Sequence, residues 1–508
     1  MFPGVFAATT PDKPAAVLPA LGQTLTYREL DERSIRLSNH LYDLGLRRGD
    51  CIALAATNDL RVFEVYWAAL RSGLYVTPVN YNLTADEANF IISDCGAQVL
   101  FASSTVATAV ADSATIPGLT HRIAWGDGIE GFESYDEVLA AASTTPLAEQ
   151  PRGHDMLYSS GTTGRPKGIR PPLPQGEVDK IPDIYTAIFA PMYGFDASSV
   201  YLSPAPLYHA APLRYSGMVQ SVGGTVVVMD KFDPEGALKL IDEYKVTHSQ
   251  WVPTMFVRML KLPAEVREKY DVSSMKAAIH AAAPCPVHVK RAMIDWWGPV
   301  IEEYYSSTEA VGGTFINSAD SLSHPGSVGK PLLGVIHICD DDGNELPVGE
   351  TGTVYFEREA QVFEYHNDPE KTKAAAHPDH PLWATTGDVG HVDDEGFLYL
   401  TDRKAFMIIS GGVNIYPQEA ENVLIAHPAV FDVAVIGVPN EEFGEEVKAC
   451  VQLDAGYSPS DELIAELDAF ARKSLAGYKV PRSYDFVDEL PRTPTGKLVK
   501  GTLVAAYR

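Results

Sequence analysis

Hydrophobic and polar positions follow two rhythms along this chain. Up to about residue 330, short apolar runs recur between segments with helical spacing: CIALAA from Cys51, AQVLFA from Ala97, GTVVVMD from Gly224, VTHSQWVP from Val246 and AAIHAAAP from Ala277. Runs this short and this uniformly apolar read as strands buried on both faces, and their alternation with helices predicts parallel α/β layers. Thr26 and Glu29 have the spacing of a capping box, in which each side chain satisfies the other's backbone N–H. They open a helix whose apolar face carries Leu30, Leu37, Leu41 and Leu44. Beyond residue 330 strand-and-turn units take over: VIHICDDDGNELP, TGTVYFE and GFLYLTDR, with Asp-Gly and Glu-Gly turns between them. From Gly411 a compact α+β unit begins. PQEAENVLIAHP reads as a helix, DVAVIGVP and VKACVQL as strands, and DELIAELDAFARKSL as a second helix.

The expected fold is therefore α/β, with a large N-terminal domain of layered α/β subdomains plus a β-rich subdomain at 1–401 and a small α+β domain at 402–508. A chain of 508 residues is too long for one core, in keeping with two or more domains. No internal repeat or long low-complexity stretch interrupts it.

Composition narrows the class. A formal charge of −27 excludes a nucleic-acid partner, which needs a basic footprint. No run approaches the roughly eighteen apolar residues of a membrane span, and the N-terminus lacks the basic-then-apolar pattern of a secretory signal. The five cysteines (Cys51, Cys95, Cys285, Cys339, Cys450) are scattered and show no C-x-x-C spacing, so they read as reduced thiols of a cytoplasmic protein without a zinc site. An anionic substrate would meet an unfavourable far field, so its site must supply local cations or Mg²⁺.

One stretch has that character. YSSGTTGRPKG, from Tyr158 to Gly168, holds three glycines, four Ser/Thr hydroxyls and two cations. Glycines let backbone N–H groups approach an anion, hydroxyls add rotatable donors, and cations add charge-assisted bonds. Most Gly/Ser/Thr runs are plain surface loops, but a linker has no reason to end in Arg-Pro-Lys-Gly. The spacing is not that of a Walker A loop: counting from Gly161 puts Pro166 where Gly is required and Gly168 where Ser or Thr is required.

The string resembles the signature loop of the adenylate-forming superfamily, which includes acyl-CoA synthetases. Further motifs follow in that family's order: PLYHAAP with Tyr208 and His209, HAAAP to Pro284, YYSSTE ending in Thr308 and Glu309, TTGD ending in Asp388, DRKAFMIISGGVNIYPQE from Asp402, and PRTPTGK ending in Lys497. The resemblance implies an ATP-dependent carboxylic acid–CoA ligase that forms acyl-AMP and then acyl-CoA, with ATP, Mg²⁺ and coenzyme A as cofactors. Ser159, Ser160, Gly161, Thr162, Thr163, Gly164 and Lys167 would grip phosphates, and Thr163 counts among the catalytic residues. Ala282, Ala283 and Pro284 would line the adenine, and Tyr305, Ser306 and Thr308 would complete the nucleotide site. A Glu after Thr is ordinarily a solvated group; in YYSSTE the resemblance makes Glu309 the Mg²⁺ ligand, a role suited to a hard carboxylate. Asp388 would accept the ribose hydroxyls, with Arg403 beside it. Tyr208, His209, Ser307 and Gly312 would line the acid pocket. His209 is given no general-base role, because a carboxylic acid is already ionised at neutral pH.

The resemblance also implies a mobile C-terminal domain. Lys497 would enter the site for adenylation, where an ammonium about 4 Å from the developing charge contributes roughly 4 kcal/mol at an effective dielectric near 20. Losing such a stabiliser typically costs two to three powers of ten in rate. Rotation about a hinge at Ala405 would then exchange Lys497 for Gly411 and Gly412, whose bare backbone suits a phosphopantetheine arm. Two departures stand out. Ala405 replaces a polar hinge residue, and Pro171-Pro172 forces any helix after the signature loop to start late. Relatives that take acetate close their pocket with Trp before Thr-Glu; Ser306-Ser307 leaves room for a medium- or long-chain fatty acid, or for a bulky aryl or steroid side-chain acid. Loading of a carrier protein and a non-catalytic ligand-binding role are the alternatives, and a homodimer stays open.

Overall fold

The structure, a computed structural model, describes residues 2–159, 166–403, 406–411, 413–492 and 498–507. Two compact units divide the chain. The first comprises 1–251, 255–280 and 362–373; the second comprises 252–254, 281–361 and 374–508.

Two sheets and two buried helices build most of the first unit. One sheet runs in the order Ala277–His280, His248–Trp251, Val200–Ser203, Thr225–Val228, Pro14–Leu18 and Gln23–Thr26, parallel except for its last strand. The other is parallel throughout, in the order Glu133–Ser134, His121–Trp125, Ala97–Ser103, Cys51–Ala55, Tyr75–Val79 and His154–Asp155. The uniformly apolar runs of the sequence are these strands, and Cys51–Ala55 is buried at every position. Helix Tyr27–Asp43 starts at the capping box of Thr26 and Glu29; Leu30, Leu37 and Leu41 are fully buried, whereas Leu44 is its half-buried cap. Helices Arg61–Leu70 and Ala210–Ser221 are buried along most of their length, as helices covered on all sides must be. They meet where Trp67 Nε1 donates to Gln220 Oε1 at 2.7 Å.

A third, three-stranded antiparallel sheet joins Leu157–Ser159, Lys167–Arg170 and Glu364–Tyr365. Its outer strand comes from nearly two hundred residues further on, which is why 362–373 belong to this unit.

The second unit holds an antiparallel set, Ile301–Ser306, Gly313–Ile316 and Lys330–Leu333, and a five-stranded antiparallel sheet built on Val335–Cys339, Gly352–Glu357, Asp388–Val392 and Leu398–Arg403, with Trp383–Ala384 on its flank. The last sheet centres on the long antiparallel pair Val430–Asn440 and Gly444–Leu453. The hairpin Ile408–Ser410/Val413–Ile415 and strand Ser483–Phe486 extend it. Helices Pro417–Leu424 and Asp461–Ala471 supply Ala420, Leu424, Leu463 and Leu467 to its core.

Candidate active site

In the first unit the two ends of the signature segment lie on antiparallel strands, Leu157–Ser159 and Lys167–Arg170. Ser159 pairs with Lys167, and Tyr158 with Gly168. Ser160, Gly161, Thr162, Thr163, Gly164 and Arg165, between them, lie outside the described residues. The strand pair is held from several sides. Tyr158 donates from its hydroxyl to Asp94 Oδ2 at 2.6 Å, and Asn367 Nδ2 donates to the Asp94 carbonyl at 3.2 Å and to Oδ1 at 3.3 Å. Burial, and then the Asp94 carboxylate, push the Tyr158 phenol well above its usual range, so it stays a donor. A Cβ on Gly168 would stand 2.9 Å from the Tyr158 hydroxyl and 3.0 Å from His366 Cβ. The closing glycine of the motif is thus required by packing. Lys167 lies with Nζ 5.3 Å above the Tyr365 ring.

The prolines beyond the loop do delay the next helix. Pro171 accepts from the Tyr75 hydroxyl at 2.6 Å, and Arg48 donates to the Pro174 carbonyl at 2.9 Å. Arg152, 2% exposed, donates to the Ile181 carbonyl at 2.9 Å and pairs with Asp183 at 3.0 Å. Helix Ile184–Tyr193 begins only there, with Asp183 as its N-cap. Between the prolines and that helix the chain is irregular, with a turn at 178–180, and arginines pin it. Tyr208 is buried; its ring meets Tyr81 edge-on at 5.1 Å, and its hydroxyl accepts from Asn82 Nδ2 at 3.3 Å. His209, its ring 4.2 Å from that of Tyr208, is the N-cap residue of Ala210–Ser221.

In the second unit, strand Ile301–Ser306 brings Tyr305 to Asp388. The Tyr305 hydroxyl donates to Asp388 Oδ2 at 2.7 Å, and Thr386 Oγ1 donates to the same oxygen at 2.8 Å. Asp388 is 7% exposed, and its backbone pairs in register with Arg403 on the next strand. Two residues fifteen apart in sequence are thereby brought opposite each other. Ser306 Oγ donates to the Gly312 carbonyl at 2.7 Å, and Arg358 donates to the Ala310 carbonyl at 2.9 Å. Thr308 and Glu309 are half-buried on the turn so formed. The Ser307 hydroxyl is buried and without a hydrogen-bond partner among the described residues.

Two of the four non-glycine residues with positive φ among the described residues lie at the same motifs. Ala282 has φ +75 and Ala310 φ +52, left-handed conformations that cost an L-residue with a Cβ roughly 1–2 kcal/mol. Such strain persists where the surroundings impose it, most often at functional sites. Ala283 is half-buried and Pro284 exposed. At Gly312 a Cβ would fall 2.0 Å from Phe356 Cδ1, so the vacant side of this glycine faces that ring. Nearby, Lys290 and Glu303 form a buried ion pair. Burial pushes the Glu303 carboxyl up and the lysine opposes it.

Gly411 turns the hairpin Ile408–Ser410/Val413–Ile415 with φ +58, its N–H donating to the Phe443 carbonyl at 2.8 Å. Gly412, Ala405 and Lys497 lie outside the described residues.

Motif reading missed Asp94, Asn367 and Arg358, whose signal is tertiary. Thr386 lay within TTGD and could have been picked out as a hydroxyl two residues before the carboxylate. No cluster of three or more His, Cys, Asp or Glu able to hold a metal occurs among the described residues. Among the described residues no helix is long and apolar enough to cross a membrane.

Comparison with known proteins supplies the context for this geometry. Residues 5–365 match the model for AMP-binding enzymes, and 419–497 match that for the AMP-binding enzyme C-terminal domain. The chain is 32% identical over 510 residues to the long-chain-fatty-acid–CoA ligase FadD13 of Mycobacterium tuberculosis, covering 99% of this chain and 97% of that one. It is 34% identical over 491 residues to a feruloyl-CoA synthase of an Amycolatopsis species, covering 94% and 93%. The crystal structure of ATP-bound MatB from Rhodopseudomonas palustris superposes with a TM-score of 0.83 at 29% identity, over 100% of this chain and 99% of that one.

Proposed function

The chain belongs to the AMP-binding enzyme family as an acyl-CoA synthetase-like acid–thiol ligase, and from that premise we propose that it activates a medium- or long-chain fatty acid, or a bulky aryl or steroid side-chain acid. The acid and ATP would give acyl-AMP and pyrophosphate, and CoA would then displace AMP to form the thioester. The strongest support is the buried Asp388 carboxylate. The Tyr305 and Thr386 hydroxyls donate to its Oδ2 and so orient an acceptor group of the kind a ribose diol binds.

The remaining roles follow the motifs. Ser159 and Lys167, with Ser160 to Gly164, hold phosphates, and Thr163 assists the chemistry. Ala282, Ala283 and Pro284 flank the base, with Tyr305, Ser306 and Thr308 around the nucleotide and Arg403 beside Asp388. Glu309 would hold Mg²⁺, which neutralises phosphate charge when bound. Tyr208, His209, Ser307 and Gly312 shape the acid pocket, Gly411 and Gly412 the thiol channel, and Ala405 the hinge. Lys497 stabilises the charge that builds on the phosphate during adenylation, the main task in a phosphoryl-type transfer. Ser306 and Ser307 leave the acid end open, and the relatives named above act on a long alkyl acid and on ferulate, both larger than acetate. All five cysteines are free, in keeping with a cytoplasmic enzyme.

ATP–pyrophosphate exchange over a panel of acids tests the proposal, followed by thioester detection with CoA. Exchange with none of the acids overturns it. Exchange without thioester transfers the second step to a carrier protein.

A further inference from the structure

Two ion pairs flank residues 493–497, the segment in sequence that holds Lys497 and lies outside the described residues. Before the segment, Arg492 grips Asp432 with two prongs, Nη2 lying 2.5 Å from Oδ1 and Nε closing on Oδ2. After it, Leu498 forms an isolated backbone bridge with Arg492, and the Val499 N–H donates to the Pro491 carbonyl at 2.8 Å. Helix Lys500–Ala506 then begins with a buried cation. Lys500 Nζ is 2.8 Å from Glu421 Oε1 and 5.4 Å from the centre of the Phe406 ring. Lys500 is 6% and Glu421 7% exposed. Glu421 Oε1 also accepts the Val435 N–H at 2.7 Å.

Both flanks of that segment are thereby tied to one strand, Val430–Asn440: Arg492 directly through Asp432, and Lys500 through Glu421 to Val435. A buried ion pair is weak evidence for stability, because desolvation offsets most of its attraction and apolar replacements of both partners are often neutral. What it enforces is geometry. An Arg fork has one good approach to a carboxylate, and a buried ammonium must stay beside its carboxylate.

We propose that Arg492–Asp432 and Lys500–Glu421 are positioning pairs that set where Lys497 stands relative to the core of its domain. They act through the chain between them. They therefore matter to the half-reaction that uses Lys497 and not to the one that uses the Gly411 hairpin. This rests on the adenylation role given to Lys497 above.

The test is the full-length double variant Glu421→Gln/Lys500→Met. Gln keeps an acceptor for the Val435 N–H, and Met keeps the volume of the lysine stem. Expected is a cooperative fold with a thermal midpoint close to wild type. The turnover of ATP–pyrophosphate exchange should fall about ten- to a hundredfold with an unchanged KM for ATP, the effect of a misplaced catalytic group. Thioester formation from supplied acyl-adenylate and CoA should stay within about twofold of wild type, a split that general destabilisation would not produce. A folded variant with normal exchange, or one that loses both steps equally, overturns the inference. Should the double variant unfold, Arg492→Lys, which keeps the charge and loses the fork, must show the same split. Wild-type protein that exchanges with no acid overturns the ligase reading itself; normal wild-type exchange beside a variant failing in both steps overturns this inference alone.

Discussion

Gly312→Ala subjects the Thr308–Glu309 turn to a defined displacement. The added Cβ would lie 2.0 Å from Phe356 Cδ1, 2.1 Å from Cγ and 2.6 Å from Cβ. Phe356 is 1% exposed in strand Gly352–Glu357, paired with Ile336 on one side and Ala384 on the other, so its ring has nowhere to go. Carbon atoms need about 3.5 Å, so the backbone at 312 must retreat by roughly 1.5 Å. That retreat pulls the Gly312 carbonyl from Ser306 Oγ, now at 2.7 Å, and shifts the turn that Arg358 holds at Ala310. Overpacking of this kind costs about 1–3 kcal/mol, to be read from urea unfolding. A misplacement near 1 Å at a reacting centre costs about a hundredfold, to be read from kcat/KM in pyrophosphate exchange. Phe356→Leu in the same chain should restore part of both, giving a coupling of at least about 0.5 kcal/mol. Wild-type stability together with wild-type exchange in Gly312→Ala would refute the packing argument.

His248, fully buried with its ring stacked 4.1 Å from Phe195, has its pKa pushed down to about 4, chiefly by burial. The unfolded chain takes this proton near pH 6.5. Stability is therefore complete above about 6.5 and falls by about 3 kcal/mol as the pH drops towards 4; urea midpoints for wild type and His248→Gln should converge across that window. Tyr305→Phe removes one of the two donors to Asp388 Oδ2; the loss of a hydrogen bond to a charge, about 1.5–3 kcal/mol, should raise the KM for ATP at least tenfold with little change in turnover, and an unchanged KM would sink the ribose assignment. Ala310→Gly relieves a φ of +52. Because glycine also gains freedom in the unfolded chain, the net stabilisation should be a few tenths to about 1 kcal/mol, seen as a higher urea midpoint at constant slope.

Elements whose cause lies within a few residues were legible in the amino-acid sequence. Cys51–Ala55 and Ala97–Ser103 announce themselves because strands covered on both faces need no polar alternation. The helix from Tyr27 starts where Thr26 and Glu29 say it should. Asp388 and Arg403 were named from their motifs, though only the sheet reveals that they pair in register. What stayed hidden depends on chain brought from far away. Glu364–Tyr365 is too short to signal a strand, yet it joins the signature strand pair and takes 362–373 into the first unit.

The strained alanines show why even a well-marked motif conceals its geometry. A left-handed turn ordinarily advertises itself by glycine, but Ala282 and Ala310 occupy that region with a Cβ present. At Gly312, where a glycine does stand, φ lies outside the left-handed range and the absent atom matters only because Phe356 fills its place. At these three positions the glycine is not the residue that takes the left-handed conformation. The two alanines hold their turns because hydrogen bonds and packing outweigh a cost of roughly 1–2 kcal/mol each. The Arg358 bond to the Ala310 carbonyl is one such restraint. Removing the Arg358 side chain should then let that turn relax, so Ala310→Gly should stabilise Arg358→Ala less than it stabilises wild type, a non-additivity that links strain to restraint directly.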